Sequence, residues 1–82
     1  PLTEQRRRDL VKHTHGRLED ARVALRNIRR DVIKDMKDFE NEKMISEDDL
    51  TRGEAEVQKL MERFSAEIEK VGYLKEQEIM EV

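Results

Sequence analysis

Asn41-Glu42-Lys43-Met44-Ile45-Ser46-Glu47-Asp48-Asp49-Leu50 (NEKMISEDDL) is the stretch in which one periodic segment ends and another begins. Ser46 carries the hydroxyl of an N-cap. Glu47, Asp48 and Asp49 then place three negative charges in the first turn, where the unpaired N–H groups and the helix dipole favour them. Ile45 and Leu50 flank this start at the two positions of a hydrophobic staple. A helix is therefore expected from about residue 46, with a turn over about 42–45 before it.

Upstream of the turn, Val11, Thr14, Leu18, Ala21, Leu25, Ile28, Val32 and Phe39 follow a three- and four-residue rhythm. Met36 stands one place off the position that Asp35 occupies. This is an a/d heptad seam over four repeats. Thr3 is a suitable N-cap and Glu4 a suitable first-turn acid, so one helix over about 3–41 is predicted, about 58 Å long. Gly16 interrupts it at a cost of about 1 kcal/mol relative to alanine, which a packed seam outweighs.

Downstream, Leu50, Val57, Leu60, Met61, Phe64, Ile68, Val71, Leu74 and Ile79 repeat the helical spacing to about residue 81. Gly72-Tyr73 is the weak point, where fraying or a local bend is expected. So short a connection makes the two helices antiparallel neighbours. Leu10, Val23 and Ile33 lie off the main seam of the first helix, and Met61 widens that of the second. Such width calls for a third helix, from another part of the chain or from another molecule. The fold class is all-α: a long antiparallel helical hairpin, with residues 1–82 a partial three-helix-bundle domain.

Composition agrees with this reading. In 82 residues, 45% are charged and 35% apolar, and the aromatic residues are Phe39, Phe64 and Tyr73. That is poor material for a globular core and good material for helices with a narrow apolar seam. Absence of cysteine excludes disulfide frameworks and thiolate metal sites. No apolar run reaches the roughly 18 residues that cross a bilayer, so a soluble intracellular protein is expected. The start at Pro1 rather than methionine points to a processed product or a fragment.

The net charge of −3 conceals an asymmetry. Residues 1–43 hold 12 Lys and Arg against 9 Asp and Glu, whereas residues 44–82 hold 5 against 11. One consequence is pairing between a basic and an acidic helix. The other concerns the arginines. Arg22, Arg26 and Arg29 are spaced by four and three residues, along one helical face, and Arg30 lies on the adjoining edge. Arg7 and Arg8 add charge further upstream. The guanidinium fork matches phosphate oxygens bidentately and stays protonated at neutral pH. A row at about one per turn can track the phosphates of folded RNA. Glu19, Asp20 and Asp31 offer the competing reading of a salt-bridged surface, yet Ala21–Arg30 contains no acid at all. The lack of interleaved aromatics argues against stacking on single-stranded bases and favours structured RNA read by shape and backbone.

Other motifs carry less. His13 and His15, two apart on a helix, point to different sides and are poorly placed to share a metal. The Glu47-Asp48-Asp49 run lacks the spacing and glycine of a calcium loop and is explained by capping. No phosphate-binding glycine loop, nucleophile elbow or coupled acid–base pair is present, so neither an enzyme nor a cofactor is expected.

Several blocks resemble the ribosome recycling factor family. They are Pro1-Leu2-Thr3-Glu4 with Arg6-Arg7, and Ala21-Arg22-Val23-Ala24-Leu25-Arg26-Asn27-Ile28-Arg29-Arg30-Asp31. Ile45-Ser46-Glu47-Asp48-Asp49, Val57-Gln58-Lys59-Leu60 and the closing Lys75-Glu76 and Glu78-Ile79-Met80-Glu81 complete the set. They come in family order without gaps, over essentially the whole chain. The resemblance implies an L-shaped factor with a three-helix bundle and a smaller α/β domain inserted after the bundle's first helix. It implies binding between the ribosomal subunits after termination, with the bundle on large-subunit ribosomal RNA near the peptidyl-transferase region. Elongation factor G, using GTP, then acts with it to split the ribosome.

Arg7, Arg26 and Arg29 match the family arginines associated with ribosome contact, and Arg22 and Arg30 are neighbours in the same motif. The family's first helix and inserted domain are absent from these 82 residues, and Pro1 falls where the chain would return from that domain. Contacts of the smaller domain with elongation factor G are therefore expected to lie outside this segment. The resemblance implies a ribosomal partner, no membrane and no DNA, in a bacterial cytoplasm or in an organelle if a transit peptide preceded Pro1. An alternative from another class is a structural coiled-coil hairpin for protein–protein association.

Overall fold

The computed structural model describes residues 2–81; Pro1 and Val82, which bound the sequence motifs, lie outside the described residues. Two helices make up the molecule, α1 over Glu4–Asn41 and α2 over Glu47–Glu81, and they pack side by side as an antiparallel hairpin. Its extents of 61 × 15 × 10 Å describe a rod. The radius of gyration is 18.6 Å, against about 12 Å for a compact domain of this length.

Each helix end has a local chemical cause. Thr3, in extended conformation, accepts the Arg6 N–H through Oγ1 at 3.1 Å and so caps α1. At the other end Glu42 is the C-cap and Lys43 takes a left-handed conformation with φ 61°. The Lys43 N–H donates to the Glu40 carbonyl and the Met44 N–H to the Phe39 carbonyl, both at 2.9 Å. That pair of bonds is a Schellman motif built on a lysine rather than the usual glycine.

Ser46 then opens α2 with a reciprocal capping box. The Asp49 N–H donates to Ser46 Oγ at 3.0 Å, and the Ser46 N–H to Asp49 Oδ2 at 3.1 Å. Hydrogen bonds from the Ser46 backbone and side chain, joined by Arg52, hold the Asp49 carboxyl below the usual carboxylate range. Ile45 and Leu50 are both half-buried, as a staple requires.

The seam differs in detail from the sequence expectation. Val11, Thr14, Leu18, Ala21 and Leu25 are half-buried, but so are Leu10, Ile33 and Met36, while Ile28, Val32 and Phe39 are exposed. Heptad spacing alone cannot tell which half of a wide apolar stripe the partner helix covers. Here α2 takes one half, and the other lies open beside exposed Leu60, Phe64 and Val71 of α2. Leu18, Ala21, Ala24, Leu25, Ile28, Phe64, Ile68 and Val71 thereby line a long groove of almost wholly apolar atoms.

Fraying at Gly72, one of the two outcomes expected there, does not occur. α2 runs unbroken through it, and it is the one buried residue among those described. A Cβ there would meet Leu18 Cδ1 at 2.5 Å and Cδ2 at 2.9 Å. The missing side chain lets α1 approach at this level, so the packing gained offsets the weak helix propensity of glycine. The chain exposes 6646 Å², whereas a compact protein of 9.8 kDa would expose about 5,200 Å².

Candidate nucleic-acid interface

The acid-free run Ala21–Arg30 lies in the middle of α1, where unbranched arginine stems suit a helix and their heads reach past the hairpin surface. Arg22 turns inward. Its Nε donates to Glu69 Oε1 at 2.7 Å and its Nη2 to Glu69 Oε2 at 3.1 Å, a bidentate fork across the helices. Nη1 adds a 3.3 Å bond to Glu19 Oε2. The Glu69 hydrogen bond is the main reason that the Arg22 pKa is raised, and the same bond lowers that of Glu69. Since the Glu69 side chain is 59% exposed, screening leaves the pair a minor source of stability. Its effect is positional: it pins the register of the helices and holds Arg22 in place.

Arg26 reaches outward, 65% exposed, with Nη2 3.5 Å from Glu19 Oε1. Arg29 is exposed and has no ion pair or side-chain hydrogen bond among the described residues. Arg30 Nε bonds Asp31 Oδ1 at 3.1 Å and its Nη1 bonds Asn27 Oδ1 at 3.3 Å, on the surface. Arg26 and Arg29 stand where two clefts meet. One crosses to α2 and is lined also by Arg22, Gln58, Met61, Glu62, Ser65 and Glu69. The other follows α1 toward the turn, past Arg30, Ile33, Lys34, Lys37, Asp38 and Asn41. Leu25 is the one lining residue that the cleft crossing to α2 shares with the apolar groove, and the cleft along α1 shares none.

Four of the five arginines singled out in the sequence are thus neighbours, and Arg7 is not. It lies fifteen residues before Arg22, about 22 Å along the helix, half-buried at the open end with its Nη1 3.8 Å from Glu4 Oε2. There it lines a separate cleft with Arg8, Lys12, His15, Glu76 and Met80. His15 Nε2 is 3.3 Å from Glu76 Oε2, whereas His13 lines another cleft with Asp9, Gly16 and Asp20. The two imidazoles do point to different sides.

Pairing of a basic with an acidic helix is limited to Arg22–Glu69 and His15–Glu76 among the described residues; the other ion pairs are local to one helix. The arginine row is therefore largely unneutralised by α2. Sequence reasoning missed Glu69, Gln58 and Ser65, which only the register brings to the cleft. It also missed Lys34 and Lys37, although the four-residue step from Ile33 to Lys37 was there to be read.

Comparison with known proteins adds a separate line. Residues 1–80 match the model of a family described as "Ribosome recycling factor". Over all 82 residues the chain is 56% identical to the ribosome-recycling factor of Oleidesulfovibrio alaskensis, of which it spans 45%. It is 54% identical to that of Cupriavidus metallidurans and 50% identical to that of Thermomicrobium roseum, spanning 44% of each. The chain thus spans a little under half the length of these curated relatives.

Proposed function

This chain belongs to the ribosome recycling factor family, and from that premise we propose that it is the RNA-binding part of such a factor. In this reading Arg26, Arg29 and Arg30, braced by Arg22, contact the phosphates of large-subunit ribosomal RNA, with Arg7 a separate contact at the open end. The observation that carries it is the arginine row itself: exposed, clustered where two clefts meet, with Arg29 free of any acid among the described residues. Together with elongation factor G and GTP, the factor takes apart the post-termination ribosome, in a bacterial cytoplasm or an organelle. The chain does no covalent chemistry in this process; it positions and binds.

A third helix, supplied from outside these 82 residues, covers the apolar groove between Leu18 and Val71 and completes a three-helix bundle. The open groove and the excess surface support this part of the proposal.

Co-sedimentation with large ribosomal subunits at low and moderate salt tests the RNA assignment. The full-length protein should bind in a salt-sensitive way, because phosphate contacts release counterions. An Arg26→Glu/Arg29→Glu variant should keep its helix content and lose that binding. Unchanged binding by the variant would refute the assignment of this face. The open groove also favours a second reading, a hairpin for protein–protein association. A stable dimer indifferent to RNA in analytical ultracentrifugation would support that reading instead.

A further inference from the structure

We infer that the bound RNA backbone runs along α1 from Arg26 toward the turn, and that Lys37 is a second phosphate-binding residue at the far end of that track. The inference rests on the RNA-binding reading and adds a direction and a residue to it.

Two clefts leave Arg26 and Arg29, and their charges differ. The cleft that crosses to α2 has Glu62 and Glu69 on its far wall. A polyanion entering it approaches Glu62, which has no cationic partner among the described residues, and Glu69, whose carboxylate takes up the Arg22 charge. The cleft along α1 is lined by Arg26, Arg29, Arg30, Lys34 and Lys37, against Asp38 alone among acids. Asp38 is itself engaged, since Lys34 Nζ lies 2.9 Å from its Oδ2. Lys37 has no such partner among the described residues and is exposed. Glu19 and Asp31 offset Arg26 and Arg30 from outside this lining, but with Arg29 and Lys37 unpaired the cleft keeps a cationic excess, and this is the direction in which a phosphate chain is attracted.

Spacing agrees. Lys37 lies eleven residues beyond Arg26, about three helical turns, so the two share a face about 16 Å apart. That length accommodates several consecutive phosphates of one strand. Arg29 and Lys37 then act as the unpaired cations of the track, Arg30 and Lys34 as cations shared with local carboxylates. Ile33 and Asn41 complete the lining of this cleft. The compact ammonium of lysine suits a point contact with one phosphate at the end of the track.

The test uses the full-length protein and large ribosomal subunits as the probe, with binding measured across a range of salt concentrations. Lys37→Gln is compared with Arg29→Gln and with Lys70→Gln, an equal charge change on α2 outside both clefts. Helix content is checked by circular dichroism. Lys37→Gln should weaken binding several-fold at low salt and reduce the slope of log affinity against log salt by about 0.8, the loss of one phosphate contact. Lys70→Gln should leave both unchanged. If Arg29→Gln lowers the slope and Lys37→Gln does not, the track is wrong while the RNA reading stands. If Lys70→Gln lowers the slope as much as Lys37→Gln, the effect is diffuse charge and the track is again overturned. If the unaltered protein shows no salt-dependent binding, the RNA reading falls and the track with it.

Discussion

Three glycines in these helices make one experiment, because the same substitution should give three different signs. A helical glycine replaced by alanine gains about 1 kcal/mol in propensity wherever the new methyl group finds space. At Gly16 nothing lies within 4 Å of the added Cβ, so Gly16→Ala should stabilise by about that full 1 kcal/mol. At Gly53 the Cβ would come within 2.5 Å of Met36 Cε but 3.7 Å of its Sδ. The thioether end can swing aside for about 0.5–1 kcal/mol, leaving Gly53→Ala close to neutral.

At Gly72 both branches and the branch point of Leu18 are in the way, Cδ1 at 2.5 Å, Cδ2 at 2.9 Å and Cγ at 3.2 Å. Rotation about χ2 moves only the two methyl groups and leaves Cγ in place, while a χ1 change would shift the whole side chain from its present packing. Overpacking of this kind costs about 1–3 kcal/mol. After subtracting the propensity gain, Gly72→Ala should destabilise by about 1 kcal/mol, roughly 2 kcal/mol from Gly16→Ala. Urea unfolding of the full-length variants, followed by far-UV circular dichroism at a common m value, measures the ladder. The reasoning is refuted if Gly72→Ala stabilises as much as Gly16→Ala, for then Leu18 does not seat against the glycine.

Other outcomes follow from the caps and the acids. Ser46→Ala should cost about 1 kcal/mol in the same urea assay, because it removes the oxygen that accepts the Asp49 N–H. The folded state holds the Asp49 carboxyl lowered, so its contribution is present above the ordinary aspartate value, near pH 4, and is lost as pH falls through the lowered one. Wild type and Asp49→Asn should accordingly converge in stability on acidification, as melts at successive pH values would show. Lys43→Gly should raise stability by about 1 kcal/mol by relieving a left-handed lysine, read out by thermal melting. Glu19→Gln should tighten binding to large subunits a few-fold, because Glu19 holds both Arg22 and Arg26; unchanged affinity would mean that those contacts do not compete with phosphate.

Much of this molecule is written locally, and that part was legible. Thr3, Ser46 and Asp49 act within three residues of themselves, so the helix starts could be read from sequence. The arginine row needs only the helical repeat, which is why Arg22, Arg26 and Arg29 could be grouped without a structure. What needs the second helix could not be read. Periodicity did not show that Ile28, Val32 and Phe39 stay exposed while Leu10 and Ile33 become half-buried. Gly72 looked like a flaw because the residue that explains it, Leu18, is 54 positions away. Glu69 is 47 positions from Arg22, and nothing near either of them in sequence announces the pair.

The rod shape has a mechanical consequence. Thr3 and Glu81 lie at the same end, where Glu4 and Met80 line one cleft, and the turn at Lys43 stands at the far end of a 61 Å axis. Whatever is joined to either end of this segment therefore acts on one end of a stiff lever. A tilt of a few degrees there moves the turn by several ångströms, while Arg22, near the midpoint, moves about half as far. The row of cations sits where a small rotation at one end becomes a sideways shift.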